Sequence, residues 1–301
     1  MANESAPFQK VILLTGATSG IGESFARQLA AQALVKPGGG KIGLAITGRN
    51  LERLQSLASS IGQISNIECL PIVADLADPD APQVLIEKVV ANWGRLDVLV
   101  NNAGYGLPRM FHQASSAEIS AQIQVDFTAP VMLTRLALPY LLKSPAGRVI
   151  QVSSSISTTA WPIFGAYGAC KSGLSYFTDG LRRELHGTRV AVCLVEPGPI
   201  RTEFLSRALE GLDPADPMRK MVESWPPMIF GDADRVARDM LRLIDRPRGR
   251  ISVLRRAVWP MRLMGALFQL LPWLGDLFVI RTLKAHGASV SSDSQELTTV
   301  K

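Results

Sequence analysis

Apolar runs and amphipathic stretches alternate along the first 255 residues. Seven runs, 11–15, 42–47, 68–73, 97–101, 148–153, 189–195 and 251–254, are mostly near-continuously apolar, with many β-branched residues. That is the pattern of strands buried on both faces of a parallel sheet. Between them, apolar positions recur at helical spacing over 21–34, 51–61, 81–93, 117–142, 166–186 and 232–244. Such alternation predicts right-handed crossovers and a doubly wound parallel α/β sheet, a single domain over 1–256. Two stretches interrupt it. Residues 36–41 contain Pro37-Gly38-Gly39-Gly40, a flexible loop before the second strand. Residues 203–231, rich in Pro, Met and Asp, follow the carboxyl end of a strand, where a substrate lid is expected.

Composition adds exclusions. With 301 residues, 47% hydrophobic and 19% charged, the chain is neither disordered nor too small for a full core. Its net charge of +6 is local: 246–284 holds eight basic residues and one acid, Asp276, a charge of +7 that leaves −1 for the rest. Because those arginines alternate with long apolar side chains, no nucleic-acid partner is expected. Cys69, Cys170 and Cys193 form no C-x-x-C pair, and His112, His186 and His286 are far apart. Neither a disulfide framework nor a metal site is expected, and a cytoplasmic, reducing setting is favoured. The apolar run 11–14 is too short for a signal peptide.

Three motifs carry chemistry. The first strand runs into Thr15-Gly16-Ala17-Thr18-Ser19-Gly20-Ile21-Gly22 and then a helix. Glycines there permit a tight turn, and the helix N-terminus offers free N–H groups to a pyrophosphate. The spacing is G-x-x-x-G-x-G, so the turn by itself is also compatible with a plain strand-to-helix connection. Tyr167 and Lys171, four residues apart, share one helix face, where an ammonium lowers a phenol's pKa toward a value suited to proton transfer. Ser153-Ser154-Ser155 ends a strand, the place for a hydroxyl that polarises a substrate oxygen.

Together these residues resemble the short-chain dehydrogenase/reductase family. Gly16, Thr18, Ser19, Gly20, Ile21 and Gly22 match its Gly-rich loop, Asn101-Asn102-Ala103-Gly104 its fourth-strand motif, and Tyr167/Lys171 its catalytic pair. Ser154 stands at the family's usual thirteen-residue interval before Tyr167. Asp75-Leu76 matches the adenine-contacting pair, and Pro197, Gly198, Ile200 and Thr202 match the segment that contacts the nicotinamide carboxamide. The resemblance covers residues 10 to about 255 and implies a Rossmann-type fold. It also implies hydride transfer at a nicotinamide, with Tyr167 as proton donor or acceptor, Lys171 on the ribose hydroxyls and Ser154 on the reacting oxygen. It further implies a homodimer or homotetramer through the helices at 117–142 and 166–186.

One position departs from the family pattern. Val125-Asp126-Phe127-Thr128-Ala129-Pro130 has Asp126 where the family carries an Asn that holds a helix distortion and a water-linked relay to the lysine. An ionised carboxylate there would pair with Lys171 and raise its pKa. The second strand ends in Thr47-Gly48-Arg49-Asn50, with no acid for a ribose 2′-hydroxyl and an arginine suited to a 2′-phosphate. NADP(H) is therefore the expected cofactor.

Beyond 256 the chain is an apolar extension, 257–280, followed by a polar tail. The uncharged run 263–275 is short of the ~18–20 residues that span a bilayer. With Trp259, Trp273 and flanking arginines, the extension suits a lid over a greasy pocket or a dimer contact in first place. The alternative is an amphipathic segment lying on an anionic membrane, on its inner face. All of these imply a lipophilic substrate or environment: a fatty-acyl, sphingoid, steroid or polycyclic ketone. Phe111, Trp161, Phe164, Phe204, Trp225 and Phe230 are candidate pocket residues. The rival to an oxidoreductase is a non-catalytic NADP-binding sensor or scaffold of the same fold, against which the intact Ser154, Tyr167 and Lys171 argue.

Overall fold

Period-two alternation along the strands divides the apolar side chains between two cores, one on each face of the sheet. The computed structural model of the chain describes residues 8–35, 40–63, 66–200, 230–253 and 255–285, with isolated positions between 203 and 224. Among these, seven strands pair in parallel: β1 (Lys10–Thr15), β2 (Ile42–Gly48), β3 (Ile67–Val73), β4 (Val98–Asn101), β5 (Arg148–Val152), β6 (Ala191–Pro197) and β7 (Arg250–Val253). Their order is β3-β2-β1-β4-β5-β6-β7, a Rossmann-type sheet in a single domain. Even-numbered residues of β1, Ile12 and Leu14, join Leu44, Ile46, Val98 and Ile150 on one face. There they pack against α1 (Gly20–Val35), α2 (Leu51–Gly62) and α7 (Ala233–Asp245). Val11 and Leu13 turn the other way, with Ala45, Leu99 and Val149. These meet α3 (Ala81–Trp93), α5 (Ala129–Lys143) and α6 (Gly165–Glu184).

Two differences from the sequence expectation bear on the site. Strand β6 is displaced two residues toward the carboxyl end, because Glu196 and Pro197 pair with Ser252 and Val253 of β7. The helix expected over 117–142 is interrupted. A first segment, α4 (Ser116–Ile123), passes through a π-turn at Gln124–Thr128 into α5. The Ala129 N–H bonds back to the Gln124 carbonyl, and Pro130, with no N–H, cannot return an α-helical bond to Asp126. By length and composition Ser116–Lys143 could cross a membrane. However, Val125, Ala129, Leu133, Ala137 and Leu141 are buried in the second core, which makes this a core helix.

The apolar extension forms two helices, α8 (Arg255–Leu270) and α9 (Pro272–Ala285). It is anchored by a carboxylate at the sheet edge. Glu196 has no exposed surface; its side chain meets Arg250 at 3.1 Å, the Ser252 hydroxyl at 3.3 Å and Arg262 of α8 at 2.5 Å. Arg250 also reaches Asp179 of α6 at 2.5 Å. Two of the eight basic residues in the 246–284 stretch are thus held internally. The lid expected at 203–231 falls mostly outside the described residues. Removing the buried partner in Glu196→Ala should lower stability by about 3 kcal/mol, less than the full buried-pair value because both arginines keep some water contact. The midpoint of urea denaturation reads this out; an unchanged midpoint would mean the carboxylate does not hold the extension in place.

Candidate active site

The connections after β1 and β4 are laced together at the point where strand order reverses. Gly16 and Gly20 adopt φ of 67° and 56°, a region that glycine enters at no steric cost. A Cβ on Gly16 would lie 2.8 Å from the Ala103 Cα, so the first turn rests directly on the chain after β4. The Thr15 hydroxyl accepts the N–H groups of Asn102 and Ala103, both at 3.0 Å, and donates to the Val100 carbonyl at 3.3 Å. The Asn102 amide in turn donates to the carbonyls of Thr15 and Gly16. Gly22 lies behind the turn, where a Cβ would overlap the Gly16 carbonyl. Gly20 and Ile21, the first residues of α1, line the cleft, and a helix N-terminus leaves backbone N–H groups without an intrahelical partner.

The second strand provides the opposite lip. Arg49 is exposed and, among the described residues, makes no ion pair. Asn50 caps α2 by accepting the Arg53 N–H at 2.9 Å. Arg53, one helical turn beyond Arg49, reaches Glu203 at 2.8 Å. The Asp75 carboxylate accepts the Ala77 N–H at 3.0 Å, shaping the turn after β3.

On the other side of the first turn, α6 buries Tyr167 and Lys171 on one face. Ser154 caps the short 3-10 turn Ser155–Thr158, accepting the Ile156 N–H at 3.3 Å, and its hydroxyl is hydrogen-bonded with Tyr167. The Lys171 ammonium lies 5.7 Å from the Tyr167 ring centre and donates to the Val152 carbonyl at 3.3 Å. Its charge partner is Asp126, fully buried in the π-turn, with Oδ1 at 2.9 Å. The other carboxylate oxygen accepts the Tyr105 N–H at 3.4 Å and the Gln122 amide. Gly104 is required beside this pair: a Cβ there would be 3.1 Å from Lys171 Nζ and would overlap Asp126 Oδ1.

Burial dominates the electrostatics. It pushes the Tyr167 phenol above its ordinary pKa, with Lys171 and Ser154 pulling down and Asp126 pushing up. The expected net depression by Lys171 is therefore outweighed, by desolvation first and by a nearby carboxylate second. Burial raises the Asp126 carboxyl as well, opposed by Lys171. For Lys171 burial works downward, yet the negative charge of Asp126, and of Tyr167 in its tyrosinate form, carries the ammonium above its usual value. It remains charged. Tyr105, beside Asp126, is pushed up to about 12, mainly by burial.

One cleft of about 1220 Å³ opens along the carboxyl ends of the strands and takes in nearly all the expected positions. Gly16, Thr18, Ser19, Gly20 and Ile21 line it with Arg49, Asn50, Asp75, Leu76, Asn102, Ala103 and Gly104. So do Ser154, Tyr167, Lys171, Pro197, Gly198 and Ile200. Gly22 and Asp126 support the wall from behind, and Thr202 lies outside the described residues. Of the expected apolar lining, Trp161 and Phe164 are present, Phe204 and Trp225 lie outside the described residues, and Phe111 and Phe230 do not line the cleft. Arg53, Tyr105, Val125 and Pro162 line it without having been singled out. Only Arg53 carried a legible signal, its four-residue spacing from Arg49.

Comparison with known proteins agrees with this geometry. A family model described as short chain dehydrogenase matches residues 10–212. The chain is 34% identical over 198 residues to an Arabidopsis thaliana 11-beta-hydroxysteroid dehydrogenase 1A, covering 65% of this chain but 54% of that protein. It thus spans about half the length of the plant relative it matches. It is also 34% identical over 207 residues to the NADP-dependent 3-hydroxy acid dehydrogenase YdfG of Salmonella typhi, covering 67% of this chain and 78% of that one. Among solved structures, a Sphingobium yanoikuyae short-chain dehydrogenase in complex with NADPH superposes with a TM-score of 0.70 at 26% identity, covering 87% of this chain and 95% of that one. By sequence match and by fold, the chain belongs to the short-chain dehydrogenase/reductase family of oxidoreductases.

Proposed function

We propose that the protein is an NADP(H)-dependent oxidoreductase interconverting a hydroxyl and a carbonyl on a lipophilic substrate. The observation that carries this reading is the position of Tyr167. It is hydrogen-bonded with Ser154, backed by the Lys171 ammonium, and lines the same cleft as the glycine turn and as Val125, Ile156, Trp161, Pro162 and Phe164. The glycine half fits a dinucleotide: the bare turn that Gly16 and Gly22 permit by packing on Ala103 and on the Gly16 carbonyl lines the cleft with Gly16, Gly20 and Ile21, and the α1 N–H groups would hold a pyrophosphate. Arg49 would take a 2′-phosphate, Asp75 and Leu76 the adenine, and Pro197, Gly198 and Ile200 the nicotinamide end. When bound, the cofactor supplies or accepts the hydride.

The chain's own residues handle the proton. In reduction, a neutral Tyr167 donates its phenolic proton to the substrate oxygen while the Ser154 hydroxyl donates a hydrogen bond to the same atom. Lys171 stabilises the tyrosinate that is left and would hold the ribose hydroxyls. By raising the pKa of the phenol, Asp126 keeps Tyr167 in the donor form over a wider pH range. The apolar lining favours a greasy substrate. The same reading includes a homo-oligomer assembled through α5 and α6, on which Met132, Leu142 and Tyr176 are exposed.

Three outcomes test this. Tyr167→Phe should lower kcat by about 10²–10⁴-fold and leave NADPH binding intact; unchanged turnover would remove the mechanism. Asp126→Asn keeps an amide oxygen beside Lys171, which with the Val152 carbonyl holds the ammonium, but takes away a charge that raises the phenol, so the Tyr167 pKa should fall. The rising limb of the oxidation profile, which needs tyrosinate, and the falling limb of the reduction profile, which needs the phenol, should both move to lower pH. Limbs that stay in place would show that the carboxylate does not reach the proton donor. Finally, kcat/KM should favour NADPH over NADH by about 10–100-fold through a charge-assisted contact, with Arg49→Ala abolishing the difference. A preference for NADH would overturn the cofactor assignment.

A further inference from the structure

Gln122 is fully buried and does not line the cleft, yet its amide touches the Lys171–Asp126 pair. It stands on α4, four residues before Asp126. The Nε2 group donates one hydrogen bond to the Tyr105 carbonyl at 2.7 Å and another to Asp126 Oδ2. Its own oxygen, Oε1, is buried without a hydrogen-bond partner among the described residues. Leaving a buried acceptor unpaired costs free energy, so packing alone would favour an apolar side chain of equal size. What this position supplies is the donor side of the amide.

The orientation of that amide follows from the Tyr105 carbonyl, which can only accept. Turned over, Gln122 would set its own oxygen 2.7 Å from the carbonyl oxygen, acceptor against acceptor. With the amide fixed as a donor, the groups that bond Asp126 all offer protons. The Lys171 ammonium meets Oδ1 at 2.9 Å, and Oδ2 takes the Tyr105 N–H at 3.4 Å together with the Gln122 amide. A neutral carboxyl would need an acceptor for its own hydrogen, and none of these three is one. The other titratable groups around Asp126 are Tyr167 and Cys170 of α6 and Tyr105 after β4. Burial holds all of them neutral, pushing Cys170 up to about 11 and Tyr105 up to about 12. Lys171 is therefore the charge that the carboxylate faces.

We infer that Gln122 is a positioning residue: its amide holds Asp126 as a carboxylate with Oδ1 aimed at Lys171. The Tyr105 carbonyl anchors the amide from the other side, so α4, the chain after β4 and the π-turn are fixed by one side chain. Without that donor, Oδ2 would keep only the long bond from the Tyr105 N–H. The bearing of Gln122 on proton transfer rests on the redox reading of Tyr167. The state of Asp126 does not, and its test uses no turnover.

The infrared band of a protonated carboxyl reads that state in the full chain, taken as the difference between each protein and its Asp126→Asn counterpart. Near neutral pH the unaltered chain should show no such band. Gln122→Met and Gln122→Leu, close in size and without a donor, should each raise the pH at which the band appears. The expected rise is about 1–2 pH units, the equivalent of one hydrogen bond to a charged group. Circular dichroism and the melting midpoint identify the variants that fold, and either one suffices. A role in packing alone would leave the band where it is. The inference is overturned by a band already present near neutral pH in the unaltered chain, or by a folded variant whose band does not move. Turnover that survived Tyr167→Phe would remove the redox reading and leave the infrared result standing.

Discussion

Close approach between the turn after β1 and the chain after β4 is the constraint on which the site depends. A parallel sheet covered on both faces admits a ligand only along its carboxyl edge, and the edge opens where neighbouring strands send their connections to opposite sides. Here that opening is defined by Gly16 against Ala103 and by the Thr15 and Asn102 hydrogen bonds that cross it. Any side chain at Gly16 would push the two connections apart. The glycine turn would then lose its aim, and Gly104 would move off the Lys171–Asp126 pair. The glycine turn and the Lys171–Asp126 pair are thus set by one contact.

The second organising demand is a buried ammonium. An unpaired cation at the depth of Lys171 would shed its proton. Asp126 and the Val152 carbonyl keep it charged, and the π-turn places the carboxylate where a regular helix would not. The same carboxylate works against tyrosinate, so the site holds a cation and an anion with opposite effects on one phenol. The result is a phenol biased toward its neutral form.

Much of this was legible in the residues, for physical reasons that differ by element. Strands such as 11–15 and 148–153 are read from unbroken apolar runs, because burial on both faces permits little else. Strand β6 was read two residues early because a buried Glu196 resembles a loop residue until its arginines, more than fifty positions downstream, are known. The Tyr167/Lys171 spacing lies within one helix and is visible directly. Lys171 and Asp126 are 45 positions apart, and their pairing follows only from a resemblance or from the fold. The π-turn had a local trace in Pro130, yet a proline near a helix start is equally common in regular helices. Tyr105 left no signal, since its burial depends on packing beside Gln122 and Asp126. From the residues alone Lys171 stands as the main influence on Tyr167, because desolvation cannot be judged without depth.

Glu196 gives the C-terminal extension a standing that its composition conceals. One carboxylate, cut off from water, meets an arginine of the last strand and another of the first extension helix, and Asp179 shares the first of them. A chain ending before Arg262 would take one of the two cations from the buried acid and leave Arg250 divided between Glu196 and Asp179, with β7 an edge strand that has a weakened reason to pair. The extension is therefore the closing member of the sheet's own charge balance, and its removal would be felt first in the strand that it never touches through hydrogen-bonded backbone.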